Sequence, residues 1–137
     1  MYRRTSSDSL TRLWIEPKKN RVSGAELFDS LRFVQLETTP ESMFDYVRCL
    51  KLLNDKFYLL DRMGTKLLCF DRDGKFLKKF EARGNGPDEY FMLCFLAADP
   101  VSKKILVADD VVRKIFIFDE FLNLEHVVKV DFTPKQV

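Results

Sequence analysis

One tryptophan, one histidine and three cysteines in 137 residues leave few of the side chains from which metal centres and disulfide frameworks are built. Cys49, Cys69 and Cys94 are odd in number, show no C-x-x-C spacing and lie inside apolar segments. That excludes the usual zinc and disulfide patterns and leaves buried free thiols acting as small hydrophobes. His126 stands among Glu125, Val127 and Val128 with no second His or Cys at ligand spacing, so a surface histidine is expected and no metal or other cofactor is assigned. There is no G-x-S-x-G, no P-loop and no G-x-G-x-x-G opening a helix, which removes the commonest hydrolase and nucleotide-binding signatures. No apolar run approaches the roughly 20 residues of a membrane-spanning helix. Residues 1–10 are basic and Ser-rich but lack the apolar core of a secretory signal, so a cytoplasmic protein without a membrane partner is expected. One-sided charge is missing too. Lys and Arg number 23 against 21 Asp and Glu, spread from Arg3 to Lys135, so nucleic acid is not an expected partner.

What is present points to strands. Apolar residues make up 46% and charged residues 32%, the balance of one folded domain. Thirteen Phe among many Leu, Val and Ile suit a pleated surface better than a helix. Residues 1–31 read as an irregular arm with Trp14 and Ile15 as a candidate docking pair. Within it, Ser23-Gly24-Ala25-Glu26 has capping-box spacing before Leu27, Phe28 and Leu31, which allows one or two helical turns. The segment 32–37 reads as an extra strand ended by Thr38-Thr39-Pro40. Short apolar runs follow at 46–50, 57–60, 67–70 and 76–80. Their roughly ten-residue spacing predicts an antiparallel meander, and runs such as Phe57-Tyr58-Leu59-Leu60 predict that both of its faces are covered.

The sequence then repeats itself. At an offset of 48 residues, Lys56, Asp61, Lys66, Phe70 and Asp71 fall on Lys104, Asp109, Lys114, Phe118 and Asp119, with apolar residues matching between them. The run 46–50 falls on 94–98 at the same offset. Four strands in a repeat of this length are the signature of a β-propeller blade, and face-to-face blades account for the continuous apolar strands. The fold expected for 32–137 is therefore all-β: the extra strand 32–37, a four-stranded blade at 43–80, a linking motif at 81–92 and a second blade at 93–132.

Three stretches carry a resemblance. Leu36-Glu37-Thr38-Thr39-Pro40-Glu41-Ser42, the Phe-Asp-Arg-Asp-Gly-Lys-Phe run at 70–76 and Arg83-Gly84-Asn85-Gly86-Pro87-Asp88-Glu89-Tyr90 together resemble the bacterial six-bladed β-propeller proteins of the TolB-like and NHL-repeat kind. The resemblance covers roughly residues 27–130. It implies an exported or lipid-anchored relative with about six blades and a closing strand near the N-terminus, whereas two blades and no signal are present here. Some such propellers hydrolyse esters or lactones at a metal near the central axis, which gives the alternative reading of a hydrolase remnant. The inner strands at 46–50 and 93–98 offer no carboxylate for it.

The candidate site is the linking motif. Gly84 and Gly86 are expected to allow positive φ and Pro87 to fix the next turn, while Glu89 accepts backbone N–H groups and Tyr90 packs its ring and hydrogen-bonds its hydroxyl. This makes the motif an inter-blade staple. The functional reading has Arg83, Asp88 and Glu89 facing a rim and touching a ligand. Strand direction places 61–65, 81–91 and 109–113 on one rim, with 71–75 and 119–123 on the other. Asp71-Arg72-Asp73-Gly74 fails the calcium-loop pattern and reads as a hairpin turn with Gly74 at positive φ. Asp61, Asp71, Asp109 and Asp119, each closing an apolar run, should bond nearby backbone. The function expected is a non-catalytic binding or scaffolding module whose protein or small-molecule ligand is unassigned. Two blades leave one apolar face open on each flank. That predicts either a piece of a longer propeller or self-association, three copies giving six blades.

Overall fold

The structure, a computed structural model, describes residues 30–131. The arm and the capping-box turns lie outside the described residues. The chain divides into Met1–Arg32 and Phe33–Val137, and every described strand belongs to the second unit. Eight strands form two four-stranded antiparallel sheets, each a meander in chain order. The first holds β1 (Val47–Leu53), β2 (Lys56–Asp61), β3 (Leu67–Asp71) and β4 (Phe76–Phe80). The second holds β5 (Leu93–Asp99), β6 (Lys104–Asp109), β7 (Lys114–Phe118) and β8 (Leu124–Lys129). Among the described residues there is no helix.

The repeat extends to irregularities. Both sheets carry a register shift near the start of the first strand, at Val47/Cys49 and Leu93/Phe95, and another at Cys69/Phe70 and Ile117/Phe118. The first strands nevertheless depart from the expected offset. Val47 pairs with Asp61 and Leu93 with Asp109, so Val47 takes the place of Leu93, 46 residues on, while Asp61 and Asp109 are 48 apart. The cause is hairpin length. β1 and β2 are joined by Asn54 and Asp55 alone, at φ 48° and 57°, whereas four residues separate Asp99 from its partner Lys104, the last of them Lys103 at φ 56°. Two successive positive φ angles suit the tightest hairpins, where Asn and Asp are favoured. A slip of two leaves every side chain on its proper face.

The sheets pack face to face. Cys49, Tyr58, Leu60, Leu67, Cys69 and Phe80 of the first meet Leu96, Ile105, Val107, Phe116 and Phe118 of the second. Phe80 is the centre of this layer, with ring centroids 4.8 Å from Phe118, 5.3 Å from Tyr90 and 5.7 Å from Phe116. Burial of each large apolar side chain contributes about 1.5–3 kcal/mol. The repeat shows that the two contacting faces are not equivalent: Leu60 corresponds to Ala108, which points away from the layer, and Val107 to Leu59. The contact is head-to-tail.

The other face of the first sheet carries Leu59, Leu68 and Phe70, fully buried beneath Leu36 and Phe44. The strand expected at 32–37 does not form. Glu37 N donates to Gly74 O at 2.7 Å, Phe76 N donates to the Glu37 carboxylate at 2.8 Å, and the segment makes no ladder. It crosses the β3–β4 turn instead of running along an edge, and Gly74, at φ 88° as expected, leaves room for the Gln35 carbonyl, which a Cβ there would overlap. The following turn is locked by Ser42, whose Oγ donates to Glu37 O at 2.6 Å and accepts from Thr39 N at 2.8 Å. Of the two apolar flanks expected to be open, one is thus capped. The other, bearing Phe95, Leu106, Ile115 and Ile117, stays half-buried, and no described residue packs on it in either core cluster.

Desolvation by this core holds three acids in their neutral form. Burial pushes the Cys69 thiol up from 9.0 to about 12 and the Tyr90 phenol from 10.0 to about 12, and it raises Tyr58 further still. Between about pH 9 and pH 12 the unfolded chain releases protons that the folded chain keeps. Stability is therefore complete below pH 9 and lost as pH rises through this window. Thermal melts at about pH 8 and about pH 10.5 should differ by roughly 5 °C or more, the lower value at the higher pH. Equal melting temperatures would contradict the buried state of these groups.

Candidate functional site

The linking motif is a loop closed on itself. Tyr90 N donates to Ala82 O and Gly84 N to Tyr90 O, both at 3.0 Å, and Arg83 and Tyr90 form an isolated bridge. Inside the loop, Gly86 N donates to Glu89 Oε2 at 2.7 Å, so the Glu89 carboxylate is turned inward, as its backbone-capping role requires. The glycines serve differently from expectation. Neither Gly84 nor Gly86 has positive φ, since the positive-φ glycines among the described residues are Gly64 and Gly74. They provide space: a Cβ on Gly84 would overlap the Glu89 carboxylate, and one on Gly86 would lie 3.0 Å from it.

Three anchors fasten the loop to both sheets. Tyr90 is fully buried, and its hydroxyl donates to Thr65 O at 2.6 Å in the β2–β3 turn. Lys114 Nζ donates to Gly86 O at 2.6 Å and Glu89 O at 2.9 Å. Asp109, with no exposed surface, accepts from Phe91 N at 2.5 Å and Met92 N at 2.9 Å, and from Val111 N and Val112 N in its own turn at 2.8 and 3.1 Å. A further bond from Leu93 N to Gly64 O at 2.9 Å ties the start of β5 to the same β2–β3 turn. The three loops expected on one rim are therefore joined directly.

The remaining aspartates hold their own turns. Asp61 accepts from Thr65 N and Lys66 N, Asp71 from Asp73 N and Lys75 N, and Asp119 from Phe121 N and Asn123 N. At the opposite rim, the Glu120 carboxylate accepts from Asn54 and Lys56, each at 3.0 Å, while Tyr58 OH donates to Glu120 O at 2.6 Å. His126 is exposed and the three cysteines are free thiols. Among the described residues no three His, Cys, Asp or Glu side chains gather as a metal-ligand set.

Once these structural bonds are assigned, Arg83, Asn85, Pro87 and Asp88 remain exposed on the rim. Asn85, Pro87 and Asp88 edge an open groove of about 650 Å³, in which Pro87 and Asp88 face Val112, Val127 and Lys129, while Arg83 lines a separate hollow with Tyr90 and Phe91. The structure thus divides the predicted site: Gly84, Gly86, Glu89 and Tyr90 build the loop, while Arg83, Pro87 and Asp88 are displayed. Lys114 escaped the sequence reading. Its signal was present, since a lysine opens an otherwise apolar strand in each repeat, but a charged residue there reads as solvated.

Residues 15–137 match the family described as a domain of unknown function, DUF4934. The chain belongs to this family. No curated protein matches the DUF4934 chain. Its fold is similar to that of a Bacteroides fragilis protein described as a "Putative exported protein", whose crystal structure at 2.60 Å superposes with a TM-score of 0.67 at 23% identity. The match covers 75% of this chain and 29% of that one, so the DUF4934 chain spans less than a third of that relative's length. A likeness at this identity concerns the fold alone. Among the described residues, no helix is long and apolar enough to cross a membrane.

Proposed function

We propose that this DUF4934 chain is a non-catalytic binding or scaffolding module of β-propeller type, its two sheets acting as blades and its working surface being the rim at the linking motif. Two head-to-tail meanders with matching bulges support the propeller reading. The observation that carries the functional part is the division of labour within one loop. Glu89, Tyr90 and Lys114 make it rigid from inside, leaving Arg83 and Asp88 held outward, Asp88 beside a groove whose far wall bears Lys129 and Arg83 beside a second hollow lined by Asn85 and Phe91. A rigid scaffold with displayed polar residues is how loops commonly bind. The three free thiols suit a reducing cytoplasm. Export is ascribed to the Bacteroides fragilis protein, and fractionation of cells making the full chain separates the two settings.

Affinity capture with the wild-type chain and with an Arg83→Ala/Asp88→Ala double variant tests the proposal. Both substituted side chains are exposed, so the melting curve should move by no more than about 0.5 kcal/mol. Partner binding should weaken about tenfold, equivalent to about 1.4 kcal/mol. Partners held equally well by both proteins would place the working surface elsewhere.

A further inference from the structure

We infer, building on the rim reading above, that the groove beside the linking motif receives a carboxylate from an acidic segment of a partner protein, held between Lys114 and Lys129. These lysines are directly opposite in the β7–β8 ladder and line the groove together. Like charges so placed destabilise a sheet. Lys114 is 6% exposed, and its Nζ gives two of its three N–H groups to the carbonyls of Gly86 and Glu89, which carry no charge to balance it. Among the described residues neither lysine has an ion pair. A buried cation is costly until an anion and its remaining hydrogen bond are supplied.

The repeat holds a balanced version of the same place. Thr39, Pro40, Glu41 and Ser42 enter the first sheet as Gly86, Pro87, Asp88 and Glu89 enter the second. Ser42 Oγ accepts from Thr39 N at 2.8 Å where Glu89 Oε2 accepts from Gly86 N at 2.7 Å, and Ser42 N donates to Thr39 O as Glu89 N does to Gly86 O. Glu41 thus stands for Asp88, while Lys66, Lys79 and Glu81 stand for Lys114, Val127 and Lys129. In the first sheet Lys79 bridges Glu41 at 2.6 Å and Glu81 at 3.0 Å, so the set holds two lysines and two carboxylates. In the second, two lysines have Asp88 alone, and the shorter Val127 lines an open groove. One carboxylate is missing, and the group in its place in the first sheet is the Glu81 side chain. A monoanion on an apolar stem fits the vacancy, since Pro87, Val112 and Val127 offer a wall for methylenes and Asp88 disfavours the second charge of a phosphate.

Amide NMR of the full chain titrated with acetyl-(Gly-Glu)3-amide at low salt should show saturable shifts at residues 85–88, 112 and 127–129. The Gly-Gln peptide of the same length should bind about tenfold more weakly, and inorganic phosphate should not displace the acidic peptide at equal concentration. Lys129→Glu, which copies the first sheet, should weaken binding of the acidic peptide about tenfold and raise the melting temperature by about 2–4 °C, because Lys114 gains the opposite charge it lacks. Lys75→Glu, on the other rim, should leave binding unchanged. No binding of the acidic peptide, displacement by phosphate, equal loss in Lys75→Glu, or a Lys129→Glu protein that binds as before or melts no higher than wild type would each overturn the inference. If affinity capture still needs Arg83 and Asp88 in those cases, the rim reading survives without its acidic ligand. A peptide that binds while capture ignores those two residues leaves the lysine pair standing and the displayed loop without its role.

Discussion

Asp109→Ala is expected to destabilise the fold by about 4 kcal/mol, the larger part of what a small domain possesses. The carboxylate has no exposed surface and accepts four backbone N–H groups, two from the linking segment and two from its own turn. Alanine leaves all four donors without their acceptor, each costing about 1–3 kcal/mol when it stays buried and unpaired. Water entering the vacated space recovers part of the loss, so the sum of four full penalties is not expected. Asp61→Ala provides the comparison. Its carboxylate accepts from the Thr65 and Lys66 amides and from the Thr65 hydroxyl, all in its own turn, and since the hydroxyl can rotate to another acceptor about 2 kcal/mol is expected. Urea melts of both variants check the ratio. Amide exchange at Phe91 and Met92 should accelerate in Asp109→Ala alone. An Asp109→Ala protein within about 1 kcal/mol of wild type would remove the carboxylate from its place as the join between sheets.

Gly64→Ala is the second large effect, at about 3 kcal/mol. Gly64 has φ 64°, where a side chain costs about 1–2 kcal/mol. Its Cβ would also overlap the Leu93 carbonyl oxygen, and this neighbour belongs to a strand and cannot step aside. Relief requires the β2–β3 turn to withdraw from β5, which breaks the 2.9 Å bond from Leu93 N to Gly64 O. Gly74→Ala is the control. Its φ of 88° is as demanding, but its obstacle is Gln35 O, in a segment that makes no ladder and is able to shift. About half the effect is expected there. Equal losses in the two variants, measured by thermal or urea melts, would show that backbone strain alone matters and that the clash with β5 does not.

Much of the architecture was legible because strand period and repeat report the same thing. The runs at 57–60, 67–70 and 76–80 lie within β2, β3 and β4, and counting strand directions placed the three rim loops together. The slip in β1 and β5 was not legible. Cys49 and Leu50 correspond to Phe95 and Leu96, and so little side-chain identity survives that a 46-residue offset looks no better than 48. The segment 32–37 misled for another reason: an apolar pattern reports a face to be covered and not a neighbouring edge, and Leu36 finds its cover on top of the sheet while Phe33 is 95% exposed. In the motif, the presence of glycine was informative but its cause was not. Crowding by the Glu89 carboxylate depends on a fold-back that no spacing reveals.

The unequal hairpins, two residues after β1 and four after β5, also define where this molecule accommodates change in length. The two hairpins differ by two residues at that end, and the inner strand has the same inward and outward sides in both sheets. A peptide graft between Asp99 and Lys104 therefore lengthens a loop outside the ladder, and the buried face of β5 and β6 holds Leu96 opposite Val107 whatever the number of residues added. The same end lies opposite the linking motif, so cargo placed there stays clear of the rim where Arg83 and Asp88 are displayed.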